Sequence, residues 1–498
     1  MSIQIVETVT GQSMSDLRAA RDRASGDLVE LRLDSVPRPD VQGALEGRRT
    51  PVIVTCRPTW EGGGFEGPEE ARLRLLGDAI RLGAEYVDVE WRADRDRLPT
   101  HERTRLVISH HDFTGVPVDL GDRVRSMLGA GADIVKVAIT PGRLSDCMTL
   151  RDAMRFDQPH VAIAMGRRGE LTRLCPWLFG SCWTYGGAAA PGQPSTADLR
   201  EVYRVSERSA STAIYGIAGS PLAHSASPAM HNPAFQACGI DAIYVPFETT
   251  DADDLLAVAD VVGARGFSVT APLKERTFAR VPEVDDLSRR IGAVNTLRRE
   301  ASGAWAGRNF DVAGFLSPFD RRGIDLAGTR AVVLGAGGAA RTAIWALTSR
   351  GARVVVSARR EDRAVALAAE FGIATVAWPP QGGRDLLVNA TPVGTWPHVA
   401  ECPVPISALG GGCVYDLIYN PADTALLVGA RAAGADAIGG LEMLIGQACR
   451  QFEWWTGQAA PAAEVAAAAA AFVQRTHGVG TPGVSMPGIL QTRVQDPI

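Results

Sequence analysis

The chain has 498 residues, 46% of them hydrophobic and 21% charged, a globular composition with length for two or three domains. A net charge of −5 with no basic block argues against nucleic acid as a partner. No segment approaches the roughly 18 consecutive apolar residues of a membrane span, since the alanine-rich stretch 459–472 is broken by Pro461 and Glu464.

No signal-peptide pattern is visible at the start, and the eight cysteines form no Cys-x-x-Cys pair. Free thiols in a reducing cytoplasm are therefore expected, and no metal site.

From Ile3 to Tyr185 eight apolar, β-rich runs stand out: Ile3–Val9, Leu28–Leu33, Pro51–Cys56, Tyr86–Trp91, Arg105–Ser109, Asp133–Ile139, His160–Met165 and Gly180–Tyr185. Helical periods such as Ser15–Ala24, Pro68–Leu82 and Gly121–Leu128 separate them. Eight strands alternating with helices within about 200 residues predict a (β/α)8 barrel, whose chemistry sits at the carboxyl ends of its strands. Polar residues fall at those ends: Glu30, Arg32 and Asp34 along the end of the second; Arg57, Glu61 and a glycine run after the third; His110 and His111 after the fifth; Arg173 after the seventh; Gln193 after the eighth.

The sixth strand carries Lys136. Of the 51 Lys and Arg residues only Lys136 and Lys274 are lysine. A guanidinium stays protonated, whereas burial and neighbours can pull a lysine amine's pKa down and make it a nucleophile or proton carrier. Both lysines are therefore candidate active-site amines.

Glu30-x-Arg32, Arg57-x-x-x-Glu61-Gly-Gly, His111-Asp-Phe, Gly-Ala-Asp-x-x-Lys136 and Pro-Gly-Gln193, in that order, resemble the type I 3-dehydroquinate dehydratases over residues 1–205. The resemblance implies an imine on Lys136, with no cofactor. It makes His111, oriented by Glu61, the base and then the acid, and gives Arg173 the substrate carboxylate. Glu30, Arg32, Arg57 and Gln193 would bind hydroxyls and close the site. Ala189 stands where that family commonly has serine.

Ser195–Arg208 reads as a helix closing the barrel, and 209–212 as a short join between halves expected to work independently. From Ala213 an α/β pattern with two lobes begins. Ser225 and Ser227 lie in a turn before a helix, Thr270 and Lys274 follow a strand, and Asn295 and Asp311 come next. Thr329–Leu334 runs into Gly335-Ala-Gly337-Gly338-Ala339-Ala340 and a helix, the dinucleotide fingerprint in its strand–turn–helix context. The strand Arg353–Ser357 ends in Ala358-Arg359-Arg360, with Arg363 close behind. Arginines in place of an acidic residue match a ribose 2′-phosphate, so NADP(H) is the expected cofactor. Thr391 closes a further strand, and Gly440, Met443 and Gln447 begin a late helix.

This second constellation resembles the shikimate dehydrogenases over about residues 213–475. The resemblance implies that Lys274 and Asp311 are the catalytic pair and that Ser225, Ser227, Thr270, Asn295, Tyr419 and Gln447 bind substrate. Gly335, Gly337, Gly338, Ala339, Ala340, Ala358, Arg359, Arg360, Arg363, Thr391, Gly440 and Met443 would line the NADP site. In this order the halves resemble the plant-type fused enzymes, which dehydrate 3-dehydroquinate and reduce the resulting 3-dehydroshikimate to shikimate in aromatic amino-acid precursor synthesis.

The expected domains are a barrel over 1–209 and a dehydrogenase over 210–475. The latter divides into a substrate lobe (about 213–312 plus C-terminal helices) and a Rossmann lobe (about 325–440), followed by a disordered tail over 476–498. Two alternatives stay open: a quinate-type dehydrogenase acting oxidatively in the second half, and a non-catalytic metabolite-sensing regulator. Oligomeric state is open as well.

Overall fold

The computed structural model describes residues 2–100, 102–187, 193–380 and 383–477. Ala189, the Pro-Gly of the Pro-Gly-Gln193 motif and the tail from 478 lie outside the described residues.

The first eight strands are β1 Gln4–Val9, β2 Leu28–Arg32, β3 Val52–Thr55, β4 Tyr86–Glu90, β5 Arg105–Asp112, β6 Ile134–Ile139, β7 His160–Ala164 and β8 Trp183–Gly186. They pair in parallel in the order β7-β6-β5-β4-β3-β2-β1-β8. A bridge between His160 and Ser181 and a 2.9 Å bond from Cys182 N–H to the His160 carbonyl join the ends of the order. Every predicted strand is present. β5 continues to Asp112, which places His111 on the strand itself.

Period-two alternation sorts the barrel's side chains. Val6, Leu28, Ile53, Val107, Ile134, Val161 and Trp183 form one apolar cluster. The intervening residues, such as Val29, Val54, Val87, Ile108 and Val135, pack in the larger core. The same alternation carries Glu30, Asp88, Ser109 and Lys136, all buried, along the strands that supply the first cluster.

The expected helix over 195–208 is broken. Asp198–Val202 forms a wide turn and Val205–Glu207 a short 3-10 segment, because Arg204 between them sits at φ 51°. A non-glycine residue in the left-handed region cannot continue a right-handed helix.

The chain then forms β9 Ala213–Gly219, β10 Ala242–Glu248, β11 Ala264–Val269, β12 Glu283–Val284, β13 Thr296–Arg299 and β14 Trp305–Arg308, a mixed sheet ordered β10-β9-β11-β13-β14-β12. The last sheet holds β15 Arg330–Leu334, β16 Arg353–Ser357, β17 Ala374–Thr375, β18 Leu386–Asn389, β19 Cys413–Asp416 and β20 Asp436–Gly439. It is parallel throughout and ordered β17-β16-β15-β18-β19-β20, the doubly wound dinucleotide-binding order.

Two compact units result. One is Met1–Phe310 with Ala448–Pro461; the other holds Asp311–Gln447 and the chain from Ala462. The barrel and the mixed sheet thus share a unit, and a single cluster of buried apolar residues includes members of both, among them Leu144, Leu255 and Phe247. All eight cysteines are free thiols. No helix among the described residues is long and apolar enough to cross a membrane.

Candidate active sites

Lys136, 4% exposed, donates from Nζ to Asp88 Oδ2 at 3.0 Å and lies 3.5 Å from Glu30 Oε1. Its ammonium also sits 4.4 Å from the centre of the Tyr185 ring. Burial works against the charge, but the carboxylates of Asp88 and Glu30 outweigh it and hold the amine above the usual lysine pKa. Burial here brings no net lowering, and the resting amine is an ammonium.

Asp88 is held in turn. Its Oδ1 accepts from Arg57 Nη2 at 2.9 Å and from the Ser109 hydroxyl at 2.6 Å. Arg57 Nη1 donates to Glu90 and to Ser109 Oγ, each at 2.7 Å, and Glu90 accepts from the fully buried Arg72. Arg72 forks onto Glu69, which reaches solvent. Cations and anions thus alternate from Lys136 outward through Asp88, Arg57, Glu90 and Arg72 to Glu69. Glu30 accepts from Thr8 Oγ1 and Thr55 Oγ1, each at 2.9 Å.

His111 Nδ1 lies 3.0 Å from Glu61 Oε1, which also accepts the His111 backbone N–H at 2.9 Å. One carboxylate oxygen receiving both hydrogens fixes the tautomer, with the proton on Nδ1 and the lone pair on Nε2. Burial, with Arg57 and Lys136 near, keeps the imidazole well below its usual pKa, and burial pushes Glu61 up to about 7. The Phe113 ring stacks on His111 at 6.4 Å. His110 is bonded through Nε2 to Arg123 at 3.0 Å, and burial and Arg123 push it down to about 4.

The other predicted residues of this half have different bonding partners. Arg32 forks onto Asp34 at 2.9 and 2.7 Å, and Asp34 accepts Gly64 N–H at 3.0 Å, tying β2 to the glycine run. Arg173 is buried; Nη1 donates to the Ala164 carbonyl at 2.9 Å, while Nε has no protein partner. Burial with only Glu170 as a nearby carboxylate pushes its pKa down to about 10. Gln193 Nε2 and Tyr185 OH are likewise buried without a partner. Buried donors without acceptors are costly, about 1–3 kcal/mol each, so a hydroxylated carboxylic acid fits these groups.

Sequence reasoning missed Asp88, Glu90, Ser109 and Tyr185. The signal was present in Tyr-Val-Asp-Val-Glu at 86–90, where two carboxylates on alternate positions share one face of a buried strand.

In the mixed-sheet lobe, Ser225 Oγ accepts the N–H of Ser227, the buried first residue of the helix Ser227–Ala237. Thr270 N–H bonds to Ala218 O at the end of β9. Lys274, half-buried, opens the helix Lys274–Phe278 just after β11. Asn295 is 2% exposed, and its Oδ1 accepts from Thr296 Oγ1 and from Phe310 N–H at 2.8 Å. That bond fixes the backbone immediately before Asp311, which starts the helix Asp311–Arg322 and is buried. Asp311, Tyr419 and Gln447 belong to the second unit; Ser225, Ser227, Thr270, Lys274 and Asn295 belong to the first.

The fingerprint turn lies wholly in the second unit. Gly335 has φ 108°, and a Cβ there would lie 2.9 Å from Ala390 O, so only glycine fits. A Cβ on Gly337 or Gly338 would meet nothing within 4 Å. Gly337, Gly338 and Ala339 are exposed where the helix Gly338–Ser349 begins, and Ala340 behind them is buried. Open backbone amides at a helix N-terminus fit a pyrophosphate.

Ala358 is half-buried after β16, and Arg359, Arg360 and Arg363 beyond it are exposed. Thr391 is anchored through Asn389 Oδ1, and Asn389 Nδ2 donates to buried Asp416 at 2.9 Å. Gly440 starts the helix Gly440–Thr456 with no room for a Cβ, which would lie 2.3 Å from Leu417 O; Met443 follows one turn on. These residues fit a dinucleotide bearing a 2′-phosphate.

Profiles of known families match three stretches: type I 3-dehydroquinase over 5–210, the shikimate dehydrogenase substrate-binding domain over 217–297, and the shikimate 5′-dehydrogenase C-terminal domain over 440–470. Fold and site together define a two-activity enzyme, a lyase barrel joined to an NADP-dependent oxidoreductase. The bifunctional 3-dehydroquinate dehydratase/shikimate dehydrogenase of Arabidopsis thaliana, described as chloroplastic, is 34% identical over 473 residues, covering 87% of this chain and 78% of its own. The chain belongs to that bifunctional family.

The shikimate dehydrogenase (NADP+) of Moorella thermoacetica is 42% identical over 270 residues, covering 51% of this chain and 91% of its own. A shikimate dehydrogenase solved with NADP+ superposes with TM-score 0.51 at 33% identity, covering 53% of this chain and 97% of that one.

Proposed function

We propose that Lys136 and His111 carry the dehydration of 3-dehydroquinate, and that Lys274 and Asp311 handle the proton in the NADPH-dependent reduction of 3-dehydroshikimate to shikimate. The observation that supports this most is the buried Lys136 among Asp88, Glu30 and the Tyr185 ring.

Lys136 must first lose a proton, for which Asp88 and Glu30 are the nearest acceptors. The free amine adds to the ring ketone, and water leaves to form the imine. His111 Nε2 then takes the neighbouring C–H proton, the electron pair moving toward the imine nitrogen, and returns it to the departing hydroxyl, which leaves as water. Hydrolysis frees the enone and restores the amine. Arg173 holds the carboxylate, while Glu30, Arg32, Arg57 and Gln193 order the hydroxyls. The Arg57 guanidinium does so mainly by fixing Asp88.

Bound NADPH supplies the hydride in the second reaction. Ser225, Ser227, Thr270, Asn295, Tyr419 and Gln447 hold the substrate, and the proton held by Lys274 and Asp311 reaches the developing alkoxide. Substrates are small molecules, and the enzyme works in the cytoplasm. Treating the protein with 3-dehydroquinate and borohydride should add a covalent mass to the Lys136 peptide; an adduct elsewhere would refute the assignment.

Glu61 gives the dehydration a pH dependence of defined sign. Burial keeps this carboxyl neutral up to about 7, and the ionised form accepts the two His111 hydrogens more strongly and makes the imidazole a better base. Dehydratase kcat/KM is expected to rise from pH 6 to 8, and Glu61→Gln to flatten that rise. The same raised pKa makes Glu61's contribution to stability fullest in acid and lost as pH climbs through 7.

Replacing Arg359 and Arg360 with serine is expected to raise the KM for NADPH by about 10- to 100-fold, since a hydrogen bond to a charged group contributes about 1.5–3 kcal/mol. The KM for NADH should move little. An unchanged NADPH preference would show that the 2′-phosphate is read elsewhere.

A further inference from the structure

The helix Ala252–Val262 of the mixed-sheet lobe begins with a short acidic run, Asp251-Ala-Asp253-Asp254. Asp251 is its N-cap, accepting from the N–H groups of Asp253 and Asp254. Asp253 pairs with Arg280 on its own lobe. The Asp254 side chain, 1% exposed, is committed to the barrel. Its Oδ2 accepts Leu144 N–H at 2.8 Å, and its Oδ1 accepts Ser145 N–H at 3.1 Å and Arg143 Nε at 3.2 Å.

Leu144 and Ser145 lie in the loop that leaves β6, the strand of Lys136, and precede the helix Asp146–Ala153, whose own N-cap residue makes no side-chain bond. Asp146 Oδ2 accepts the N–H groups of Gly142 and Arg143 at 2.8 and 3.0 Å, so four successive amides of this loop end on two carboxylates, one local and one from the other lobe. Upstream, Thr140 Oγ1 donates to Asp112 O at 3.0 Å and Thr140 N–H to Gly115 O at 3.3 Å. Asp112 directly follows His111. The loop therefore ties together the exits of β5 and β6, the strands bearing the base and the amine, and its outer end is fastened from outside the barrel.

We propose that Asp254, a residue of the shikimate-binding lobe, is a positioning residue for the dehydratase reaction. It holds the loop 140–145, and through Thr140 sets the spacing of Lys136 and His111. The barrel is then incomplete as a dehydratase without the neighbouring lobe, contrary to the independence expected of the two halves. Near-attack geometry is sensitive on this scale, a misplacement of about 1 Å costing up to about 100-fold in rate.

The inference rests on the roles given above to Lys136 and His111; borohydride labelling of Lys136 in the unchanged chain reads the role of the amine separately. The test is Asp254→Asn in the full-length protein, which keeps side-chain volume but turns an amide donor toward one of the two loop N–H groups. Dehydratase kcat is expected to fall about 10- to 100-fold with KM for 3-dehydroquinate within threefold, while reduction of 3-dehydroshikimate by the same sample stays within twofold. Arg143→Ala, at the exposed arm of the contact, should leave both activities within twofold. Dehydratase kcat within twofold of the unchanged chain would overturn the proposal. So would a parallel fall in both activities with a lower Tm, which would mark the contact as cohesive only, or an equal dehydratase loss in Arg143→Ala.

Discussion

Lys136→Ala is expected to abolish dehydration, lowering kcat by at least about 10⁴-fold, as loss of a covalent nucleophile does, while reduction of 3-dehydroshikimate stays within twofold. The only other side-chain amine, Lys274, lies in the other lobe after β11 and cannot substitute. Lys136→Arg separates charge from chemistry. A guanidinium could still neutralise Asp88 and Glu30, so the fold should persist, but it cannot form an imine and the variant should be as inactive as the alanine form. Asp88 would in either case keep Arg57 and Ser109 as partners. Following enone absorbance for one reaction and NADPH loss for the other separates the two activities. Dehydration by Lys136→Arg above a hundredth of the parent rate would remove the imine from the mechanism.

The second large effect is expected at Lys274. Its replacement by alanine should lower kcat for 3-dehydroshikimate reduction by about 10²- to 10⁴-fold, the range for a positioned proton donor, with dehydration unaffected. KM for NADPH should hold, because the glycine turn and the arginines after β16 lie elsewhere in the chain. Asp311→Asn should give a loss of the same order, and the double variant little more than either alone, since groups that handle one proton are not additive. Fully additive losses would mean that the two act in separate steps.

The barrel was legible because parallel strands buried on both faces are nearly unbroken β-branched runs, and all eight fall within a few residues of their predicted limits. The dinucleotide lobe was legible because Gly335, Gly337 and Gly338 stand between a strand and a helix. The partners inside the barrel were not. Whether Arg57 meets substrate or Asp88 depends on which strands become neighbours, and that is decided by closure of the sheet rather than by local pattern. The charge of Lys136 was not legible for the same reason: burial alone would lower its pKa, but Asp88, which raises it, comes from a strand 48 residues away. The break at Arg204 left no mark, because the apolar spacing of Leu199, Val202, Tyr203 and Val205 is helical although the backbone is not. Asp254 was invisible in one sequence, where it is one of three aspartates opening a helix.

The alternating ions beneath the amine have an evolutionary consequence. Removing one member of a buried ion pair costs about 3–5 kcal/mol, a large part of a domain's entire margin of about 5–15 kcal/mol. A descendant that exchanged Arg57 or Glu90 alone would have to survive that deficit before any second change relieved it. The rungs are thus free to drift only in concert, and the innermost rung is the amine proposed to form the imine.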